Sequence, residues 1–176
     1  SFSDRQVDLS EEGFDLAVRI GALADSSSLI ARQLASHTMV FCASADYLRR
    51  AGEPTCAEDL HQHEAVAYIH SGRILKWRVQ NERGEAIEMN PPARIMMDDM
   101  QAVKDSALTG AGIVWLPYWL VKEQLLNGEL KQILKAQSSG TWPVYAVWLR
   151  TPHPSLKVRL AVDKLISELP AMMTVA

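Results

Sequence analysis

Arg19 is a permanent cation inside an apolar segment near the start of the chain. Residues Phe14 to Ile20 are apolar at five of seven positions, with glycine at each flank. This pattern predicts a strand buried on both faces, as in parallel sheets. Arg19 lies near its carboxyl end, where open α/β sheets bind ligands. A guanidinium binds carboxylates, so Arg19 is predicted either to contact a ligand or to form an internal ion pair. The possible partners in the second case are Asp4, Asp15 and Asp25.

Asp98 precedes a helical segment that begins at Asp99 and extends to Leu108. Asp98, followed three residues later by Gln101, fits a capping box, so we predict that Asp98 caps this helix. The free N–H groups of the first turn favour an anion, whereas the two carboxylates repel one unless Arg19 or another cation offsets them. Because a cap needs only one carboxylate, a structural role and a role in cation binding or acid–base chemistry both remain open for Asp99.

His61 and His63, followed by Glu64, form a second cluster that could suggest a metal site. Two histidines that are two residues apart do not share a helix face. No cysteine or second carboxylate has the spacing that completes a tetrahedral shell. We therefore predict polar surface residues here, and no metal site.

Gly110 and Gly112 resemble a phosphate-binding loop only in composition. They follow a helical segment and precede a strand, whereas a dinucleotide fingerprint follows a strand and precedes a helix. We predict a helix cap and a close-packed turn, and no cofactor. The chain also contains no Walker sequence, no Gly-x-Ser-x-Gly elbow and no Ser-x-x-Lys pair. We therefore predict no catalytic residue and no enzymatic activity.

The elements that position these residues alternate between strands and helices, as in α/β folds. An alternating pair, Leu75–Val79 and Ala86–Met89, predicts an antiparallel hairpin. The five tryptophans are predicted to lie in the core. The other predicted strands are 2–4, 14–20, 29–44, 65–69, 94–97, 113–116, 130–134 and 144–149. The predicted helices are 7–12, 45–51, 56–60 with Thr55 as cap, 99–108, 119–126 and a final helix that begins after Ser155 and ends at Pro170.

The composition excludes several classes of protein. With a formal charge of −3 and a pI near 5.9, the 176-residue chain lacks the basic surface that DNA binding requires. Two cysteines, Cys42 and Cys56, are too few for a disulfide framework and are predicted to be reduced residues of a cytoplasmic protein. No apolar run approaches the length of a membrane span, and no secretion signal is present. The first residues look like the end of a strand, so we expect a fragment of a longer protein.

The motifs together resemble the effector-binding domain of LysR-type transcriptional regulators, in order along Ser1 to about Leu169. The later motifs that carry the resemblance are Gly110-Ala111-Gly112-Ile113, Leu116-Pro117 and Val144-Tyr145-Ala146-Val147. The earlier ones are Ser3-Asp4-Arg5, Val7-Asp8-Leu9, Glu12-Gly13-Phe14-Asp15-Leu16-Ala17-Val18-Arg19-Ile20-Gly21, Asp25-Ser26-Ser27, Leu29-Ile30-Ala31-Arg32-Gln33-Leu34, Cys42-Ala43-Ser44 and Tyr47-Leu48.

The resemblance implies an α/β fold of two Rossmann-like subdomains of the type II periplasmic-binding-protein kind, joined by two crossover strands. Subdomain I is expected at 1–31 and 140–176, without its first strand and helix, and subdomain II at 32–139. A small-molecule effector is expected to bind between them. The implied effector-binding residues are Ser3, Asp4, Arg19, Ile20, Tyr68, Ile69, His70, Ser71, Asp98, Asp99, Met100, Gln101, Leu116 and Pro117.

The resemblance also implies partners outside this chain. In such regulators an N-terminal winged helix-turn-helix domain binds DNA, and the protein forms a homodimer or homotetramer in the bacterial cytoplasm, without membrane contact. That DNA-binding domain is expected to be absent from these 176 residues. Many relatives carry asparagine where Asp98 stands, which argues against an anionic effector. A solute-binding protein for transport and an enzyme on the same two-lobed fold are the alternative interpretations.

Overall fold

The structure, a computed structural model, describes residues 8–21, 23, 25–70, 72–81, 83–138, 141–151 and 155–173. The chain divides into two compact units: unit 1 comprises Ser1–Thr38 and Thr141–Ala176, and unit 2 comprises Met39–Gly140. The strands are β1 (Ala17–Ile20), β2 (Leu29–Ser44), β3 (Ala65–His70), β4 (Arg73–Ile74), β5 (Trp77–Gln80), β6 (Ala86–Met89), β7 (Ala93–Met97), β8 (Val114–Pro117), β9 (Leu130–Ile133) and β10 (Thr141–Leu149). The helices are α1 (Ala45–Ala51), a 3-10 helix (Glu58–Gln62), α2 (Met100–Leu108), α3 (Tyr118–Leu126) and α4 (Leu156–Met173).

Unit 1 is an antiparallel sheet with α4 packed on one face. β10 is its central strand, because it pairs with β1 on one side and with the first part of β2 on the other. The buried residues Leu34, Val144 and Ala146 of the sheet pack with Val158 and Val162 of α4. The core of unit 1 therefore depends on segments from both ends of the chain.

The prediction of a doubly buried strand at 14–20 is wrong. β1 covers only Ala17–Ile20 and pairs antiparallel with β10. Val18 and Ile20 are 48% and 50% exposed. An apolar run indicates that a strand can be buried, but burial also requires neighbouring elements that cover both of its faces. Within the described residues β1 has β10 as its strand neighbour.

Unit 2 is built around β3, which lies between two parallel neighbours. β3 pairs in parallel with β7, from Ala65 with Ala93 to Tyr68 with Met97. On its other side, Ala65 forms a parallel bridge with Ile113, just before β8. β8 and β9 each pair antiparallel with the end of β2. The core of unit 2 contains Val40, Val66, Val103, Val114 and Val121, among other residues.

Several local predictions are confirmed. β2 is one extended strand of 16 residues. α1 covers the predicted residues, with the Ser44 side chain accepting a hydrogen bond from the Tyr47 N–H and Gly52 as its C-cap. β5 and β6 form the predicted antiparallel hairpin. Both cysteines are free thiols, and burial raises the pKa of Cys42 to about 12.

Other local predictions are wrong. The segment 56–60 is a 3-10 helix, Glu58–Gln62, and Thr55 donates to the Asp59 carboxylate at 2.8 Å instead of capping with its own oxygen. Of the helix predicted at 7–12, residue 7 lies outside the described residues, and residues 9–13 form turns with one helix-type bond from the Glu12 N–H to the Asp8 carbonyl at 3.1 Å. The Asp8 carboxylate accepts from Ser10 and Glu11. The final helix continues through Pro170 to Met173, because a proline in the last turn removes only one intrahelical hydrogen bond. The predicted strand 2–4 lies outside the described residues. None of the described helices is long and apolar enough to cross a membrane.

Candidate functional site

The carboxyl ends of three parallel strands meet at one edge of unit 2. β3 is parallel to β7 and, through the Ala65–Ile113 bridge, to the strand that becomes β8. The Val66 N–H donates to the Ile113 carbonyl at 3.0 Å, and the Ile113 N–H donates to the Glu64 carbonyl at 2.8 Å. α2 follows β7 and α3 follows β8, so both helices begin at this edge. Ligands of open α/β sheets bind at edges of this kind.

The structure brings most of the predicted unit 2 residues to this edge. Tyr68, Ile69 and His70 end β3, and Leu116 and Pro117 end β8. Asp98 and Asp99 connect β7 to α2, whose first two residues are Met100 and Gln101. Ser71, Ser3 and Asp4 lie outside the described residues. Arg19 and Ile20 lie in unit 1, as neighbours on β1.

The cap of α2 is Asp99, so the prediction that Asp98 caps it is wrong. Asp99 has the extended backbone of an N-cap residue, and its Oδ1 accepts from the Ala102 N–H at 2.9 Å. Gln101 does not complete a capping box, because its side chain donates to Asp105 within the helix at 3.0 Å. Either of two adjacent aspartates satisfies a sequence pattern for capping, and the residue at which the helix begins selects between them. Asp98 is left exposed on the strand side of the cap.

The aromatic residues at the end of β3 have different surroundings. Tyr68 is 5% exposed and belongs to the unit 2 core. His70 is exposed, and its ring centroid lies 6.2 Å from that of Tyr68 with an interplanar angle of 31°. The two rings are therefore neighbours, and of the two the His70 ring is the one that solvent or a ligand can reach.

Leu116 and Pro117 contribute to this edge chiefly through their backbone. Leu116 is fully buried opposite Val40, and Pro117 is buried opposite Met39. Pro117 is also the N-cap position of α3 and forms no side-chain cap bond. The first turn of α3 carries Trp119, which is 37% exposed. The assignment of every tryptophan to the core therefore missed Trp119, although its place just after a buried strand was a signal of this edge.

Arg19 affects the carboxyl group of Asp8, which is not one of the three carboxylates considered in the sequence, and one of those three, Asp4, lies outside the described residues. Asp15 forms an ion pair with Lys157 at 2.6 Å. The pKa of Asp8 is lowered, mainly by hydrogen bonds from the backbone of Glu11 and Ser10, and to a smaller extent by the charge of Arg19. On β1, Arg19 is opposite Tyr145, so it lies on the face of the unit 1 sheet opposite to α4.

Two of the residues considered for metal and cofactor chemistry, His63 and Gly112, have structural contacts. The His63 Nδ1 lies 3.1 Å from the Tyr47 hydroxyl. Gly112 approaches the Glu64 backbone so closely that a Cβ at this position would lie 2.5 Å from the Glu64 carbonyl oxygen. This confirms the predicted close-packed turn. Among the described residues, no three His, Cys, Asp or Glu side chains are placed to hold a metal ion.

Comparison with known proteins gives a consistent result. A family model described as the LysR substrate binding domain matches residues 1–170. The HTH-type transcriptional activator AaeR of Escherichia coli K12 is 32% identical over 164 residues, which are 90% of this chain and 50% of that protein. The chain spans about half the length of the curated relatives it matches.

Solved structures agree with the sequence comparisons. The full-length Vibrio cholerae virulence activator AphB, a member of the LTTR family, superposes with a TM-score of 0.79 at 32% identity, over 95% of this chain and 56% of that one. The regulatory domain of CrgA from Neisseria meningitidis superposes with a TM-score of 0.78 at 30% identity, over 92% and 78%. The predicted fold class, two Rossmann-like subdomains of the type II periplasmic-binding-protein kind, is confirmed by these similarities.

Proposed function

This chain belongs to the LysR substrate-binding domain family, as an effector-binding domain of a LysR-type transcriptional regulator, and we propose that its effector contacts the carboxyl edge of unit 2. The observation that carries the proposal is the convergence of β3, β7 and β8 at that edge. The residues proposed to contact the effector there are Tyr68, Ile69, His70, Ser71, Asp98, Asp99, Met100, Gln101, Leu116 and Pro117. From unit 1 we propose Ser3, Asp4, Arg19 and Ile20.

Asp98 is the residue proposed to select the effector at the unit 2 edge. Asp99 uses a carboxylate oxygen to cap α2, and its charge offsets the positive end of the helix dipole. The exposed Asp98 carboxylate accepts hydrogen bonds and donates none at neutral pH. An effector group that faces Asp98 is therefore a donor, such as an amine or a hydroxyl. The Arg19 guanidinium favours a carboxylate on the group that it contacts.

The full protein is proposed to control transcription in the cytoplasm. Its relatives are HTH-type transcriptional regulators, and we propose that DNA is bound by an N-terminal domain outside this chain. Effector binding then changes the populations of two arrangements of a homodimer or homotetramer. The same relatives favour regulation over solute transport. Binding, rather than catalysis, is the proposed role of the effector-site residues.

A thermal-shift screen of the full-length protein tests this proposal. The panel contains small amines, amino alcohols, amino acids and carboxylates, and a true effector raises the melting temperature because it binds only the folded state. Asp98→Asn is then expected to weaken binding of that effector about tenfold or more, since a charge-assisted hydrogen bond contributes about 1.5–3 kcal/mol. Glu123→Gln, an exposed change within α3, is the matched control. Failure of every compound, or equal loss in both variants, contradicts the proposal.

A further inference from the structure

Unit 1 contains a cavity whose described lining includes none of the proposed effector-binding residues. Its volume is about 180 Å³, and it lies between the sheet and the first half of α4. Arg32 and Trp148 line it from the sheet, and Val158, Arg159, Val162 and Asp163 line it from the helix. The effector-site residues of unit 1, Arg19 and Ile20, lie on β1 and are not among them.

Strand register and helix periodicity explain why these side chains converge. Arg32 of β2 is directly opposite Ala146 of β10, and Ala146 packs against α4. Trp148 is two residues beyond Ala146, so it lies on the same face of the sheet and diagonal to Arg32. On α4, positions 158, 159, 162 and 163 lie on adjoining rows one turn apart. The cavity is thus a product of regular structure in both walls.

The charge of the cavity is positive overall, because it has two guanidinium groups and one carboxylate. Arg32 and Asp163 form a long ion pair of 3.7 Å, with side chains 56% and 66% exposed. Exposed pairs of this kind contribute little, roughly 0–1 kcal/mol. None of the ion pairs between described residues involves Arg159. Asp163 lies one helical turn after Arg159 in the same cavity, so a bound carboxylate competes with the Asp163 carboxylate for the two guanidinium groups.

The floor of the cavity is apolar. Val158 and Val162 are 6% and 4% exposed and belong to the unit 1 core, and Trp148 packs against that core. The indole Nε1 of Trp148 is buried without a hydrogen-bond partner among the described residues. A buried donor of this kind is costly to leave unsatisfied. The walls thus combine apolar surface with N–H donors.

We propose that this cavity is a second ligand site, which binds a small organic acid. The carboxylate lies between Arg32 and Arg159, and a short apolar or aromatic body lies on Val158, Val162 and Trp148. Pockets that hold drug-sized ligands measure roughly 300–1,000 Å³, so about 180 Å³ limits the ligand to a small acid. Inorganic phosphate would interact with the two guanidinium groups but not with the apolar floor, so it is expected to bind more weakly.

The experiment is fluorine NMR of the full-length protein labelled with 5-fluorotryptophan, with benzoate as the probe. Trp148→Phe identifies the Trp148 resonance, because that signal alone disappears. Benzoate is expected to shift this resonance in a saturable way. Benzyl alcohol, which lacks the charge, and inorganic phosphate, which lacks the apolar body, are expected to require much higher concentrations. Absence of a saturable shift with benzoate, or an equal response to benzyl alcohol, overturns the proposal.

Four variants separate ligand recognition from a purely structural role of these residues. Arg159→Gln is expected to weaken benzoate binding about tenfold or more, whereas Arg49→Gln, an exposed change in α1, leaves it unchanged. Asp163→Asn is expected to tighten benzoate binding severalfold. The change releases Arg32 from its ion pair and removes a negative charge that repels the benzoate carboxylate. A purely structural role for Asp163 predicts no gain, so unchanged or weaker binding to this variant overturns the proposal. Loss of the Trp148 shift in Asp98→Asn would also overturn it, because the response would then come from unit 2.

Discussion

Gly112 and Glu64 are in backbone contact at the start of the parallel pairing between β3 and β8. A Cβ on Gly112 would lie 2.5 Å from the Glu64 carbonyl oxygen and 2.8 Å from its carbonyl carbon. The neighbouring Ile113 N–H donates to that same carbonyl oxygen at 2.8 Å. Only glycine therefore allows the two segments to approach to hydrogen-bonding distance.

Gly112→Ala is expected to destabilise unit 2 by about 2–3 kcal/mol, as overpacking against rigid backbone does. The obstacle is a carbonyl group, which cannot move aside as a flexible side chain can. Urea denaturation of the chain measures the change. Gly52→Ala is the matched control, because Gly52 has positive φ but open space around its Cβ position, and about 1 kcal/mol is expected there. Equal losses in the two variants would show that the contact with Glu64 is unimportant.

Tyr47→Phe tests the hydrogen-bond cluster at the opposite, amino end of β3. The Tyr47 hydroxyl accepts from the Glu64 N–H at 2.9 Å and lies 3.1 Å from the His63 Nδ1. Removal of the hydroxyl leaves these groups without their partner, and a loss of about 1–3 kcal/mol in the free energy of unfolding is expected. Tyr145→Phe serves as comparison, since no hydrogen bond between described residues involves its hydroxyl. An unchanged free energy of unfolding in Tyr47→Phe would mean that water replaces the hydroxyl as the hydrogen-bond partner without loss of stability.

The capping assignment of α2 is tested by two alanine substitutions. Asp99→Ala is expected to lower the free energy of unfolding by about 1 kcal/mol, because it removes the acceptor of the Ala102 N–H. Asp98→Ala is expected to change it by less than about 0.5 kcal/mol, as exposed substitutions do. Chemical denaturation of both variants measures the difference. A larger loss in the free energy of unfolding for Asp98→Ala than for Asp99→Ala would show that Asp98 is the cap.

His37 is expected to make the stability of the chain depend on pH. Its side chain is 2% exposed, and neither ring nitrogen has a hydrogen-bond partner among the described residues. Burial lowers the pKa of His37 from 6.5 in the folded state. Below pH 6.5 the unfolded chain therefore binds a proton more readily than the folded chain. The stability of the folded state that is associated with neutral His37 is fully present above pH 6.5, and it is lost as the pH falls toward the lowered pKa.

His37→Leu removes this proton linkage. The wild-type free energy of unfolding is expected to fall relative to that of His37→Leu below pH 6.5, by at most about 1.4 kcal/mol per pH unit. Urea denaturation at a series of pH values measures the difference. His61→Gln, a change at an exposed histidine, is expected to follow the wild type. Parallel curves for wild type and His37→Leu would show that His37 binds protons equally in both states.

Local patterns were sufficient to predict the elements whose ends carry a chemical signal. α1 begins at Ser44 and ends at Gly52, and the β5–β6 hairpin alternates with period two. The same patterns could not decide questions that depend on neighbours. The apolar composition of β1 did not reveal that Val18 and Ile20 are half-exposed. The capping-box pattern favoured Asp98 over Asp99, and only the residue at which α2 begins shows that Asp99 is the cap.

The resemblance to the family, rather than strand order, was the source of the candidate site residues. The alternation of strands and helices predicted only an α/β fold, and the structure shows that the residues after β3, β7 and β8 lie at one edge. The burial of Tyr68 and Leu116 was not accessible in this way, because it depends on the packing of α2 and α3. Which of these residues contact an effector remains a prediction.

The central place of β10 in unit 1 has a consequence for synthesis of the protein on the ribosome. β1 and β2 do not pair with each other but with β10 on either side, and α4 follows β10. Residues 39–140 of unit 2 form one continuous stretch that is made before β10. Unit 2 can thus fold while the nascent chain is still growing, whereas β1 and the start of β2 must wait without their partner for more than a hundred residues. The sheet of unit 1 can be completed only after β10 and α4 have been synthesised, which is later than the synthesis of residues 39–140.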